Sequence, residues 1–118
     1  IRLISVPGVY VEANQGFWGE LASEFLRRFK LDIVFIGAWA IDVESGIMTP
    51  DVSAAQTESV LLKQGRKTVV VIDHTKLGTS ALIQIGEFDD IDLIVTDRKA
   101  DEKIIAEIRS KGVEISLV

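Results

Sequence analysis

Short apolar runs alternate with stretches whose apolar residues recur every three or four positions, and this rhythm restricts the fold more than any other feature of the chain. "IRLISV" (1–6), "LDIVFIG" (31–37), "TVVVID" (68–73), "IDLIVTD" (91–97) and "VEISLV" (113–118) read as strands. The unbroken apolar character of "LDIVFIG" predicts burial on both faces. Between residues 17 and 29, Phe17, Leu21, Ala22, Phe25, Leu26 and Phe29 share one helical face, opposite Glu20, Glu24, Arg27 and Arg28. Pro50 and Asp51 lead into a second helix from about Ser53 to Lys63, with Gly65 near its stop. A third, "DEKIIAEIRSKG", turns Ile104, Ile105 and Ile108 inward and ends at Gly112. "VYVEANQG" reads as a loop or short extended piece, "AWAIDVESGIMTPD" as a long loop, and "ALIQIGEF" as a short extended piece. Strands alternating with amphipathic helices predict an α/β fold, a mostly parallel sheet flanked by helices, in one domain over 1–118.

Bulk properties remove several function classes. A chain of 118 residues, 47% apolar, has length for one core and is not disordered. No apolar run approaches a membrane span, and the first residues do not read as a basic-then-apolar signal peptide. There is no cysteine, which removes disulfides and thiolate metal sites and agrees with a cytoplasmic setting. A net charge of -5, with basic residues in small separate groups, argues against a nucleic-acid grip by this segment. Ile1 stands inside an apolar run with no initiating methionine, so the expectation is a longer polypeptide.

Parallel sheets bind ligands beyond the carboxyl ends of their strands. Asp42, Asp73 and Asp97 all follow strands, and each has a plain alternative use in bracing a turn. Asp73 stands apart because Lys76 follows within one turn. The pair offers an acceptor for sugar hydroxyls and a cation for a phosphate, against the alternative of a weak surface ion pair. His74 is the only histidine and reads as a loop residue rather than a base. Trp39 has packing as its first reading and stacking on a sugar ring as its second. No Walker loop and no G-x-G-x-x-G is present, and no cofactor or metal is expected. "VVVIDHT" is only faintly like a phosphatase nucleophile strand, since Thr75 occupies the place of the second aspartate.

Taken in order, "VPGVYVEANQGFWG", "DIVFIGAWAIDVESGIMTPD", "VVVIDHTKLGTSAL" and "DDIDLIVTDRKADEKIIAEIRSKGVEISLV" resemble the C-terminal effector domain of DeoR-type bacterial transcriptional regulators. Asp73, Thr75, Lys76 and Gly78 match that family's Asp-Ser-Ser-Lys-Phe-Gly turn. Gly37 and Asp42 match its Phe-Leu-Gly and Ile-Asp positions, and Gly8 matches the second glycine of its early turn. Four positions depart from the pattern: Pro7 and Ala40 stand where glycines are usual, His74 where serine is, and Glu58 where a lysine is frequent.

The resemblance implies a fold like that of sugar-phosphate isomerases and a non-enzymatic sensor of a phosphorylated sugar in a repressor of sugar metabolism. Asp73 and Asp42 would accept sugar hydroxyls, Lys76 would meet the phosphate or a sugar oxygen, and amides near Gly8 and Gly78 would complete the cradle. It further implies a homo-oligomer. A winged helix-turn-helix and the first part of the effector domain would lie upstream, with DNA contacted only through that missing N-terminal domain. The alternatives are a sugar-phosphate isomerase and an oligomerisation module with a decayed site.

Overall fold

The computed structural model describes residues 1–118, in three sheets and three helices. The central sheet is parallel, with strands β3 (Val34–Gly37), β6 (Thr68–Val71), β8 (Leu93–Thr96) and β9 (Glu114–Leu117) adjacent in that order. Its register aligns Ile36, Val70, Ile94 and Ile115 in one row across the sheet. All four are buried, and Ile105 and Ile108 of α3 (Glu102–Ser110) belong to the same core. Each such side chain contributes about 1.5–3 kcal/mol through its removal from water.

The opposite face is open along β3 and at the end of β6, where Phe35 and Val71 are 65% and 51% exposed, while Val69 beside Phe35 is buried. "LDIVFIG" is therefore not buried on both sides as its composition predicts. Val34 and Ile36 alternate inward, and Phe35 points to the outer side and stays exposed.

A second, antiparallel sheet of β4 (Ala40–Asp42), β5 (Gly46–Thr49) and β7 (Ile83–Gly86) forms where the sequence reads as a long loop and a short extended piece. Strands of three and four residues lie below the length at which periodicity is readable, and a tight turn at Val43, Glu44 and Ser45 supplies the reversal. Helix α2 (Val52–Gln64) packs on β7 and buries Ala54, Ala55, Thr57, Glu58 and Leu62. Asp51 starts it, accepting from the amides of Ser53 (2.9 Å) and Ala54 (3.3 Å).

The first nineteen residues differ most from expectation. "IRLISV" forms no strand: no backbone hydrogen bond holds residues 1–7, and Ile1, Leu3 and Ile4 are exposed. An apolar run becomes a strand only where a neighbouring edge takes its amides, and none does so here. Phe17 and Trp18 are not helical either. They belong to β2 (Gly16–Trp18), which pairs antiparallel with β1 (Val9–Val11). Helix α1 is thereby shortened to Glu20–Leu26, and Leu21, expected inside, is exposed. Ser23 of α1 meets Thr57 of α2 at 3.2 Å in a buried contact, and Thr57 also accepts from the Gly19 amide. Asn14 donates to Asp51 at 2.9 Å. These bonds hold the β1–β2 hairpin against α2.

Candidate functional site

A cleft of about 290 Å³ opens where the carboxyl end of β3 meets this hairpin. Gly37, Ala38 and Trp39 form its floor, Lys76 one wall, Glu58 of α2 another, and Asn14 and Trp18 the hairpin side.

Lys76 reaches the cleft because the chain beyond β6 is tied at both ends of a short turn. Asp73 caps that turn, accepting from the Thr75 amide at 2.9 Å and from the Thr75 hydroxyl. Beyond Lys76, Leu77 is buried and bridges to Ile41, and the Gly78 amide donates to the Ile41 carbonyl at 2.8 Å. Between these anchors Lys76 Nζ lies 3.8 Å from Asp73 Oδ2 and 5.9 Å from the centroid of the Trp39 ring. Both Lys76 and Asp73 remain about half exposed, so their ion pair adds little stability and leaves the ammonium available. The bonds from Thr75, first its hydroxyl and then its amide, hold the Asp73 carboxyl below the usual aspartate range.

The sequence-derived residues separate into groups. Lys76 and Gly37 line the cleft, and Asp73 stands at its rim through its pair with Lys76. Thr75 completes the Asp73 cap. Gly78 serves the frame: its φ of +74° suits glycine, and a Cβ there would run into Ile104 of α3. Gly8 lies under the hairpin, where a Cβ would stand 2.7 Å from the Trp18 carbonyl oxygen. Asp42 does not line this cleft. It braces the β4–β5 turn, accepting from the amides of Glu44 (2.9 Å) and Ser45 (2.8 Å), with the Ser45 amide the main reason its carboxyl titrates low. A separate hollow of about 350 Å³ beside that turn gathers Glu44, Glu87 and Asp89 with a single Lys111 and is unsuited to an anion.

Asp97 ties two strand ends together. It accepts from the His74 amide at 2.8 Å, lies 3.0 Å from His74 Nδ1, and takes the Lys99 amide at 3.0 Å. These bonds, led by the His74 amide, lower its carboxyl to about 2. The turn-bracing role read for it from sequence describes it well. Trp39 does not have the packing role read first for it: it is 53% exposed beneath Lys76.

Sequence reasoning reached Glu58 only as a departure from a pattern and missed Asn14 and Trp18 as lining residues. Glu58 is 8% exposed, and its Oε2 has no hydrogen-bond partner. Burial pushes its carboxyl up, with the Thr49 hydroxyl opposing and the Asp51 charge reinforcing the shift. Trp18 Nε1 is also buried and unpartnered. No three acidic or histidine side chains gather as a metal site requires.

Comparison with known proteins identifies the family of the chain. The profile of the DeoR C terminal sensor domain matches residues 1–98. The chain is 36% identical over 97 residues to the HTH-type transcriptional regulator GlpR of Haloferax volcanii, covering 82% of this chain and 38% of that protein. It is 34% identical over 115 residues to the transcriptional repressor AccR of Agrobacterium fabrum, covering 94% and 45%. It is 23% identical over 116 residues to the glycerol-3-phosphate regulon repressor of Escherichia coli, covering 98% and 46%. The chain thus spans less than half the length of these relatives, which are named as transcriptional regulators or repressors. With its four-stranded parallel sheet and flanking helices in the isomerase-like arrangement, the chain belongs to the family of DeoR C-terminal sensor domains.

Proposed function

We propose that this chain senses a phosphorylated sugar or polyol for a cytoplasmic repressor of sugar metabolism, and that the cleft beside Trp39 is where the effector sits. The observation that carries the reading is Lys76. It is the one cation lining the cleft, fixed by a capped turn at the carboxyl end of a parallel sheet and left without a buried partner. An ammonium so placed takes a phosphate oxygen, and the exposed Trp39 ring offers an apolar floor for a carbon skeleton. Asp73 orients Lys76 and presents its second oxygen to hydroxyls at the rim, while Thr75, Gly78 and Gly8 hold the frame. Asp42 acts on this site through its hairpin, since β4 is the strand to which the Lys76 turn is anchored. The name of the Escherichia coli relative, a repressor of a glycerol-3-phosphate regulon, is consistent with a small phosphate monoester.

Effector binding would shift attached DNA-binding domains between competent and incompetent arrangements by its differential affinity for the two. The open sheet face at Phe35 and Val71 gives such a regulator apolar surface for self-association. An effector titration of operator release with the whole regulator tests the site. Lys76→Ala removes a charge-assisted contact worth about 1.5–3 kcal/mol, so the response weakens roughly tenfold to a hundredfold. Asp73→Asn, which keeps the shape and loses the acceptor-only carboxylate, weakens it less. If both variants melt like the parent and respond like the parent, the cleft is not the effector site.

A further inference from the structure

The cleft has two walls of opposite character. Lys76 offers a cation that is half exposed at the rim, whereas Glu58 brings a carboxyl that is 8% exposed. Its Oε2 meets no donor, and no lysine, arginine or histidine of the chain comes within ion-pair distance of it. The groups around it do not compensate: the Thr49 hydroxyl gives partial relief, and Asp51 adds negative charge. Burying such a group opposes folding unless something outside the chain completes it. The same lining contains a second orphan of opposite sense, the Trp18 Nε1–H. A carboxyl oxygen without a donor is completed by a hydroxyl, which donates to it and can accept in turn.

We propose that Glu58 is a specificity-determining residue of this cleft, taking a hydroxyl of the effector and rejecting any second anionic group at that end. The inference rests on the reading that Lys76 meets the phosphate. The cleft accordingly admits sugar or polyol monophosphates whose far end carries hydroxyls. It excludes bisphosphates and phosphorylated sugar acids, because like charges facing each other in a partly dehydrated site repel strongly. Orientation follows from the same polarity, with phosphate toward Lys76 and hydroxyls toward α2.

Two matched pairs of probes read this directly in the intact regulator by calorimetry: glycerol 3-phosphate against 3-phosphoglycerate, and fructose 6-phosphate against fructose 1,6-bisphosphate. The parent should bind a monophosphate at least roughly tenfold more tightly than its doubly anionic partner. Glu58→Gln keeps the size and removes the charge, so this preference should fall to within about threefold, mostly through tighter binding of the doubly anionic probe. Lys76→Ala should weaken both members of a pair and leave their ratio in place. A Glu58→Gln variant that melts as a folded protein yet keeps the parent's ratio overturns the role of Glu58 and leaves the effector site standing. A Lys76→Ala variant that binds every probe like the parent overturns the effector reading itself. A parent that binds neither monophosphate, or binds the doubly anionic probes equally well, overturns the proposal.

Discussion

The carboxylates at the strand ends and the carboxylate on α2 are treated in opposite ways. Asp42, Asp73 and Asp97 each accept hydrogen bonds from main-chain amides close by, and all three titrate below the ordinary aspartate value. Glu58 accepts none from main chain and titrates above its ordinary value. Strand-end aspartates are the residues that a sequence singles out for ligand chemistry, yet here their oxygens are largely engaged in holding turns. The carboxyl left incomplete is the one on a helix. A saturated acceptor builds the frame and an unsaturated one awaits a partner, so substitutions should divide along the same line.

Asp97→Ala should show the largest effect, a clear fall in melting temperature. Of the three strand-end aspartates only Asp97 joins two segments far apart in sequence, 23 residues, and its loss orphans the His74 and Lys99 amides together. Alanine at Asp42 or Asp73 should cost less, because each braces only its own turn. The pH dependence has a fixed sign. A carboxyl whose folded value, about 2, lies below the ordinary 3.8 contributes stability that is complete above about pH 4 and is lost as pH falls through 2. The gap between parent and Asp97→Ala should therefore close on acidification, and a gap unchanged at pH 2 would show that the carboxylate form is not what holds the strand ends.

Asp51→Ala comes next. It removes the cap of α2 and the bond to Asn14 that holds the hairpin over the cleft. A lost cap costs about 0.5–2 kcal/mol, measurable by denaturant titration. Because Asn14 lines the cleft, effector affinity should fall with stability; a fall in stability alone would detach the hairpin from the site.

The same contrast explains what the sequence displays and what it hides. The parallel strands, α2, α3 and the Asp73–Lys76 turn are legible because each has its own local signal: an apolar run, an Asp before an amphipathic stretch, a strand closing on a carboxylate. The β4–β5 hairpin and the β1–β2 hairpin are built from three- and four-residue strands whose pairing is decided by neighbours, so periodicity says nothing about them. "FWGELASEF" has helical spacing, yet Phe17 and Trp18 are drawn into pairing with Val9 and Tyr10, and a φ of +104° at Gly19 marks the break. Glu58 escapes for a related reason. In "VSAAQTESVLLKQ" a glutamate reads as the wet side of a helix, and only the packing of β7, α1 and the hairpin around α2 reveals that it is buried.

The smallest effect is also the one with the unusual sign. Glu58→Gln should stabilise the ligand-free protein at neutral pH, by about 0.5–1 kcal/mol, as removal of a functional group held at a cost does. Burial raises the folded value above the ordinary 4.5, so the protonated carboxyl is the form the fold prefers. A raised value means that Glu58 favours folding most below its unfolded value, and that this contribution is lost as pH rises through the folded value. At pH 7 the parent keeps a titratable carboxyl in a site short of donors, whereas glutamine presents a neutral amide of the same shape. Denaturant titrations of both proteins at pH 7 and pH 4 should show the variant ahead at the first and level or behind at the second. Adding an effector monophosphate should reverse the order at pH 7, since the ligand hydroxyl completes the carboxylate better than the amide. If glutamine is instead destabilising at neutral pH, Glu58 already has a partner within the fold, and the contrast with the strand-end aspartates fails at its one unsaturated member.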